Sequence, residues 1–285
     1  MSTADTAAGT AAGGAAGPAG ERVVELLARE WEVFGELMGH LSEPTWARPA
    51  LPGWDVHDVL AHVVGTERML LGTAVPEVRQ EVLDAGHVKN AIARTNEAWI
   101  VTLRERSHAE LLEDYVAVTS ERLAALRAMT ADDFAAPSWT PVGNATYERF
   151  MEVRVFDTWM HEQDVRTAVG VPGHESGPVP EQAIAEVVSA LGYIVGKKIG
   201  LPPGTSVSFR LEGPVERQVH VEVGDRARVV PQLTASPDVV IALSSSVFAR
   251  LAGGRAVLPE ELAAVSFDGD EQLGHTIATQ LAFTI

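Results

Sequence analysis

From Glu21 onward apolar residues recur at three- and four-residue steps: Val24, Leu27, Trp31, Phe34 and Leu37–Met38. That period predicts an amphipathic helix. Leu51-Pro52-Gly53 interrupts it, and Asp55 then stands as the N-cap of a second helix running to about Leu71, with Asp58 placed three residues on in the manner of a capping box. A third helical stretch is predicted over Gln80–Arg106 and a fourth over Ala109–Met129, with Ala136–Gly143, which holds two prolines, as a loop. A fifth helix is expected over Thr146–Val169, stopped by Gly170. Beyond a Pro/Gly-rich stretch, Glu181–Lys197 reads as a further helix.

The pattern changes after Leu201-Pro202-Pro203-Gly204. Ser206–Leu211 and Gln218–Val223 read as strands, as do the shorter Ala227–Val230, Val239–Leu243 and Val265–Phe267. Val247–Leu251 and Glu271–Leu281 read as helices, the first capped from the Ser244-Ser245-Ser246 run. The expected architecture is therefore α plus α+β: a helical bundle over residues 21–200 and a small α+β domain over 201–285. Residues 1–20, MSTADTAAGTAAGGAAGPAG, are too poor in large apolar side chains to offset the entropy of ordering and are expected to form a disordered tail. They carry neither a basic n-region nor an apolar h-region, so they are not expected to be a secretory signal.

Composition narrows the function. The 285 residues carry 22 Lys+Arg against 39 Asp+Glu, a formal net charge of -17. Neutralising phosphates needs basic side chains, so neither a nucleic acid nor a membrane surface is an expected partner. There is no cysteine, which excludes a disulfide framework, a thiolate metal site and a cysteine nucleophile, and fits a cytoplasmic location. Thiol chemistry would need a thiol from outside the chain.

The fifth helix carries the main chemical signal. Phe150, Val153, Asp157, Met160, Asp164 and Ala168 follow one another at three- and four-residue steps, a core-facing seam that includes two carboxylates. An unpaired carboxylate facing a core is costly, so such groups are paired, protonated or bound to a metal. His161 lies one turn after Asp157, and i, i+4 spacing puts an oxygen and an imidazole nitrogen on one helical face. On the second helix His62 flanks the stripe Val59, Leu60, Val63. Three such ligands leave coordination positions open, as catalytic zinc requires. Each residue also has an ordinary reading as a packed, hydrogen-bonded group. Asp164 reads as a salt-bridge partner or a brace for a ligand, and His57 as a first-turn surface residue or pocket-rim donor.

The segments LPGWDVHDVLAHVVGTE (Leu51–Glu67) and VRVFDTWMHEQDVRTAVG (Val153–Gly170) resemble the two signatures of the mycothiol-dependent maleylpyruvate isomerases, of the DinB-like metalloprotein superfamily. The resemblance implies a DinB-like four-helix bundle followed by a sterol-carrier-like α+β domain. It places the metal ligands on His62, Asp157 and His161, with Asp157 where the family commonly has Glu. It implies a divalent metal, Zn²⁺ by default, and mycothiol as thiol cosubstrate. It also implies a catalytic arginine from the C-terminal domain, for which Arg210 and Arg217 are the candidates. The partners would be a small-molecule electrophile and a low-molecular-weight thiol. Two activities fit: cis–trans isomerisation of a maleylpyruvate-like substrate, or thiol S-transfer. Two other readings stay open. One is a non-catalytic carrier of an apolar ligand, with Phe209, Val219, Val221, Ile241, Phe248 and Leu251 lining a tunnel. The other is a member that keeps the fold without the metal.

Overall fold

The computed structural model describes residues 17–284. Most of the expected tail lies outside the described residues, and α1 (Pro18–Gly39) begins earlier than expected, with proline in its first turn where a missing N–H costs nothing. A two-strand hairpin, β1 (Pro49–Leu51) and β2 (Trp54–Asp55), leads into α2 (Val56–Leu70). The hairpin turns on Gly53, whose φ of +84° and whose approach to His87 leave no room for a Cβ. Asp55 caps α2: its carboxylate accepts from the Asp58 N–H at 2.9 Å, and Asp58 accepts from the Asp55 N–H at 3.2 Å.

The predicted third helix is two helices, α3 (Gln80–Leu83) and α4 (Ala91–Leu103). The chain leaves helical geometry through Asp84-Ala85-Gly86, and Asn90 starts afresh by accepting from the Ala93 N–H at 2.9 Å. Helix α5 (His108–Arg127) opens with a Ser107–Glu110 capping box, and the short α6 (Ala131–Ala135) follows. The predicted loop is instead a hairpin, β3 (Pro137–Thr140) and β4 (Gly143–Thr146). Its prolines sit at the strand start and in the turn, where no ladder N–H is required. Thr146 caps α7 (Tyr147–Val169), and Gly170 ends it in the left-handed conformation. Helix α8 (Pro178–Tyr193) runs into a wider turn over Ile194–Lys198.

Helices α1, α2, α5 and α7 form a four-helix bundle, with α4 laid against α2 and α8 against α7. The C-terminal part comprises β5 (Ser206–Glu212), β6 (Arg217–Val223), β7 (Ala227–Val230), β8 (Val239–Ser244), α9 (Ser245–Ala252), α10 (Pro259–Ala263), β9 (Ser266–Gly269) and α11 (Glu271–Thr279). Its sheet has the order β7-β6-β5-β8-β9, with only the central β5–β8 pair parallel. Ser244 caps α9 by accepting from the Val247 N–H. Of the candidate tunnel residues, Phe209, Val219, Val221, Ile241 and Phe248 are buried in the apolar core, with the Phe209 and Phe248 rings 5.6 Å apart, and Leu251 is half-buried against it. One continuous apolar core runs from the bundle into the sheet, because α8 and α9 pack together between them. No described helix is long and apolar enough to cross a membrane.

The approach of α4 to α2 depends on Gly65. A Cβ there would lie 2.4 Å from Trp99 Cβ, and that neighbour is not the far end of a flexible side chain. Gly65→Ala would gain up to ~1 kcal/mol in helix propensity, yet overpacking of this kind costs about 1–3 kcal/mol. We expect net destabilisation, seen as a lower urea midpoint at unchanged m; an unchanged or raised midpoint would show that the two helices separate freely.

Candidate metal centre

His62 projects from a stretch of α2 in which Val59, Leu60, Ala61, Val63 and Val64 are fully buried. Asp157 and His161 sit one turn apart on α7. Packing of α2 against α7 brings the three together: His62 Nε2 lies 3.4 Å from Asp157 Oδ2, and His161 Nε2 lies 3.8 Å from Asp157 Oδ1. The imidazole centroids are 4.6 Å apart, and one ligand atom from each residue lies within 4.8 Å of the others. Metal–ligand bonds of about 2.0–2.1 Å give a tetrahedral edge of about 3.4 Å, so these separations fit ligands around one ion. Both imidazoles are buried, whereas the Asp157 side chain is 34% exposed, so the cluster opens on the carboxylate side.

The electrostatics suit ligation. Burial lowers the His62 imidazole below its usual range and favours the neutral form that a metal requires. Its Nδ1 is buried without a hydrogen-bond partner. Burial alone would raise the Asp157 carboxyl, but the Arg154 guanidinium, with His62 and His161, outweighs burial and holds it well below the usual carboxylate range. His161 Nδ1 donates to Asp164 Oδ2 at 3.1 Å, leaving Nε2 facing Asp157. A carboxylate behind the distal nitrogen fixes ring and tautomer, the arrangement metal-bound histidines use.

Trp54 covers the imidazoles, its ring 5.4 Å from that of His62 and 6.1 Å from that of His161. Its Nε1 donates to Glu97 Oε2 at 3.1 Å, which also pairs with His87 Nε2 at 2.9 Å. Behind the centre, Arg154 donates to Asp157 and to Glu67 Oε1, and Arg122 donates to Glu67 Oε2.

The C-terminal part reaches this centre through Arg255. Its Nε and Nη2 donate to the two oxygens of Asp164 at 3.1 and 2.8 Å, and Nη1 donates to Gly253 O at 2.6 Å. The two arginines expected there lie elsewhere. Arg210 is exposed on β5 and pairs with Glu212, and Arg217 opens β6 opposite Leu211. Among the described residues neither makes a hydrogen bond or ion pair to the cluster. Arg255 follows the Gly253-Gly254 turn, which reads only as punctuation in sequence. His57 is buried rather than on the surface: its Nε2 meets Arg106 O at 3.0 Å, and it borders a cavity of about 430 Å³ with Trp46 and His108.

Residues 27–166 match the mycothiol maleylpyruvate isomerase N-terminal domain. The match spans 140 of the 285 residues. No curated protein matches the sequence. Two solved structures share the fold. One, a histidine-to-alanine mutant of the mycothiol-dependent maleylpyruvate isomerase, is 16% identical with a TM-score of 0.56, over 88% of this chain and 93% of that one. The other, the mycothiol-dependent maleylpyruvate isomerase itself, is 18% identical with a TM-score of 0.55, over 84% and 90%. His62, Asp157, His161 and Asp164 all fall inside the family segment; Arg255 falls outside it.

Two outcomes follow from this geometry. His161→Ala removes one equivalent of bound divalent metal relative to wild type, measured by plasma mass spectrometry after gel filtration; equal metal in both proteins would show that His161 does not ligate. The second concerns Asp164, whose carboxyl burial would raise but whose pairing with His161 and Arg255 lowers. A lowered carboxyl stabilises the fold above the unfolded value of about 3.9 and loses that contribution as pH falls through the folded value. Asp164→Asn is expected to cost about 3 kcal/mol at neutral pH, with the deficit shrinking below about pH 4, in denaturation curves across pH.

Proposed function

We propose that the protein is a mycothiol-dependent metalloenzyme whose divalent cation, Zn²⁺ by the nature of the donors, is held by His62, Asp157 and His161. The observation that carries this reading is two imidazole nitrogens converging on one carboxylate, with one imidazole braced by a further carboxylate. The match of residues 27–166 to the maleylpyruvate isomerase N-terminal domain and the fold shared with those isomerases support it. When bound, the cation would acidify a coordinated thiol, giving thiolate at neutral pH. The chain has no cysteine, so that thiol comes from outside, as mycothiol.

The chain's own residues do the remaining work. Arg154 holds Asp157 ionised and fixes its rotamer. Asp164 keeps the proton of His161 on Nδ1. Trp54 screens the imidazoles from water. Arg255 spends three of the five N–H donors of a guanidinium on Asp164 and Gly253, leaving two for an anionic substrate group. With a net charge of -17 the protein as a whole repels an anion, so this local cation supplies the attraction.

In the isomerase reading, thiolate adds to a cis carbon–carbon double bond conjugated to a carbonyl, as in a maleylpyruvate-like substrate. The bond becomes single, rotates, and expels the thiol unchanged to leave the trans product. S-transfer differs only in that the adduct leaves with the thiol. We read the C-terminal α+β part as sterol-carrier-like, serving to supply Arg255, and place the reaction in the cytoplasm.

Zn²⁺-loaded protein with mycothiol is expected to convert maleylpyruvate to its trans isomer with thiol recovered in full, followed by absorbance and chromatography. Omitting either metal or mycothiol abolishes turnover. Arg255→Ala lowers kcat/KM about 100-fold while retaining metal. Accumulation of a thiol adduct would assign S-transfer, and thiol-independent turnover would overturn the proposal.

A further inference from the structure

Successive residues of an α-helix point about 100° apart. The residue after His161, Glu162, therefore leaves the α2 side of α7 and faces α1, where Glu30 meets it; both carboxylates are fully buried. His174, from the segment between α7 and α8, completes the cluster. Its Nδ1 lies 2.7 Å from Glu162 Oε2 and 3.5 Å from Glu30 Oε2. Glu162 Oε1 is taken by Arg166 Nε at 2.6 Å. Glu30 has no basic partner of its own: neither of its oxygens receives a hydrogen bond from a nitrogen donor, and burial beside the facing Glu162 carboxylate holds its carboxyl well above the usual range.

An ionised carboxylate in that position, wholly buried and without a donor, is among the most costly groups a core can hold. The apolar faces of α1 and α7 would be served by almost any aliphatic side chain there. The histidine is also presented deliberately. His174 has φ +51°, the one positive value outside glycine among the described residues. Trp159 Nε1 donates to its carbonyl at 2.9 Å, and Gln163 Nε2 donates to the carbonyl of Gly173 at 3.2 Å, fixing the segment against α7.

We propose that Glu30, Glu162 and His174 form a second divalent-cation site, separate from the centre at His62, with Zn²⁺ or Mn²⁺ as the class of ion. One imidazole nitrogen and two carboxylate oxygens are the donor set of such ions. The 3.5 Å spacing of His174 Nδ1 from Glu30 Oε2 matches a tetrahedral edge of about 3.4 Å. The 2.7 Å contact to Glu162 is a hydrogen bond whose proton leaves on ligation, as metal binding to histidine requires, and the edge opens by less than an ångström. The site is closed by protein on α1, α7 and the His174 segment, so its effect is structural: it clamps α1 to the helix that carries Asp157 and His161.

The test uses the full chain with His62→Ala and His161→Ala, which removes the first centre, stripped with chelator and titrated with Zn²⁺ and separately with Mn²⁺. We expect one equivalent retained through gel filtration and a raised melting temperature, both lost on adding Glu30→Gln. Retention of no ion, or of one ion regardless of Glu30→Gln, overturns the proposal. Should the double variant not fold, the wild type answers the same question: Glu30→Gln, and independently His174→Asn, reduces bound metal by one equivalent with helical circular dichroism intact. A carboxylic-acid carbonyl band in the infrared spectrum of metal-saturated wild type that disappears in Glu30→Gln shows a proton in place of the ion, and also overturns it. The first centre can fail its own metal test while this one passes, and the reverse.

Discussion

The Glu67 carboxylate sits at 1% exposure between three helices, and the bundle closes only because two arginines meet it there. Arg122 of α5 takes Oε2 at 3.0 Å, and Arg154 of α7 takes Oε1 at 2.7 Å. A buried charge left unpaired would cost several kcal/mol, so the relative placement of α2, α5 and α7 is held to a geometry in which all three side chains are satisfied. Arg154 also donates to Asp157, and at 3.4 Å to Thr158 Oγ1. The same guanidinium that balances Glu67 therefore orients the carboxylate of the candidate metal centre. Tyr147 joins from the start of α7, accepting from Arg122 at 3.1 Å. Core packing and site geometry are one problem here, solved by one chain of charges.

The sequence made part of this legible. The seam on α7 and the i, i+4 pair Asp157–His161 are local patterns, and the capping residues Asp55 and Thr146 mark where the two helices that carry the candidate ligands begin. What escaped had long-range causes. Glu67, Arg122 and Arg154 are charged residues at core positions, and hydropathy periodicity assigns such residues to the surface unless their partners are known. Arg255 is 91 positions from Asp164, and only the docking of the C-terminal part on α7 joins them. The break at Asp84–Gly86 and the hairpin over Pro137–Thr146 failed for a different reason: short elements carry too few residues for a period to show, and proline reads as a loop whether it lies in a loop or at a strand start.

Helix α7 then emerges as a ruler with three working directions. Asp157 and His161 look toward α2, Glu162 looks toward α1, and Asp164 looks toward the C-terminal turn at Arg255. Each face is braced by a basic residue placed three or four positions along or brought from another element: Arg154 for Asp157, Arg166 for Glu162, Arg255 for Asp164. Alternation of acid and base along one buried helix explains why its hydropathy is low for a helix with so many buried residues.

The aspartate at position 157 is held within this frame from two sides. Its Oδ2 is committed to Arg154 and faces His62 at 3.4 Å, while Oδ1 looks toward His161 at 3.8 Å without a competing donor. The short arm lets the arginine keep its hold on both Glu67 and Asp157, so the bundle's internal charge balance and the oxygen offered to an ion coexist in one rotamer. The guanidinium also withdraws charge from that oxygen, making it a poorer donor than an unpaired carboxylate. In the proposed centre the two imidazoles, one favoured in its neutral form by burial and one braced by Asp164, would therefore be the stronger donors.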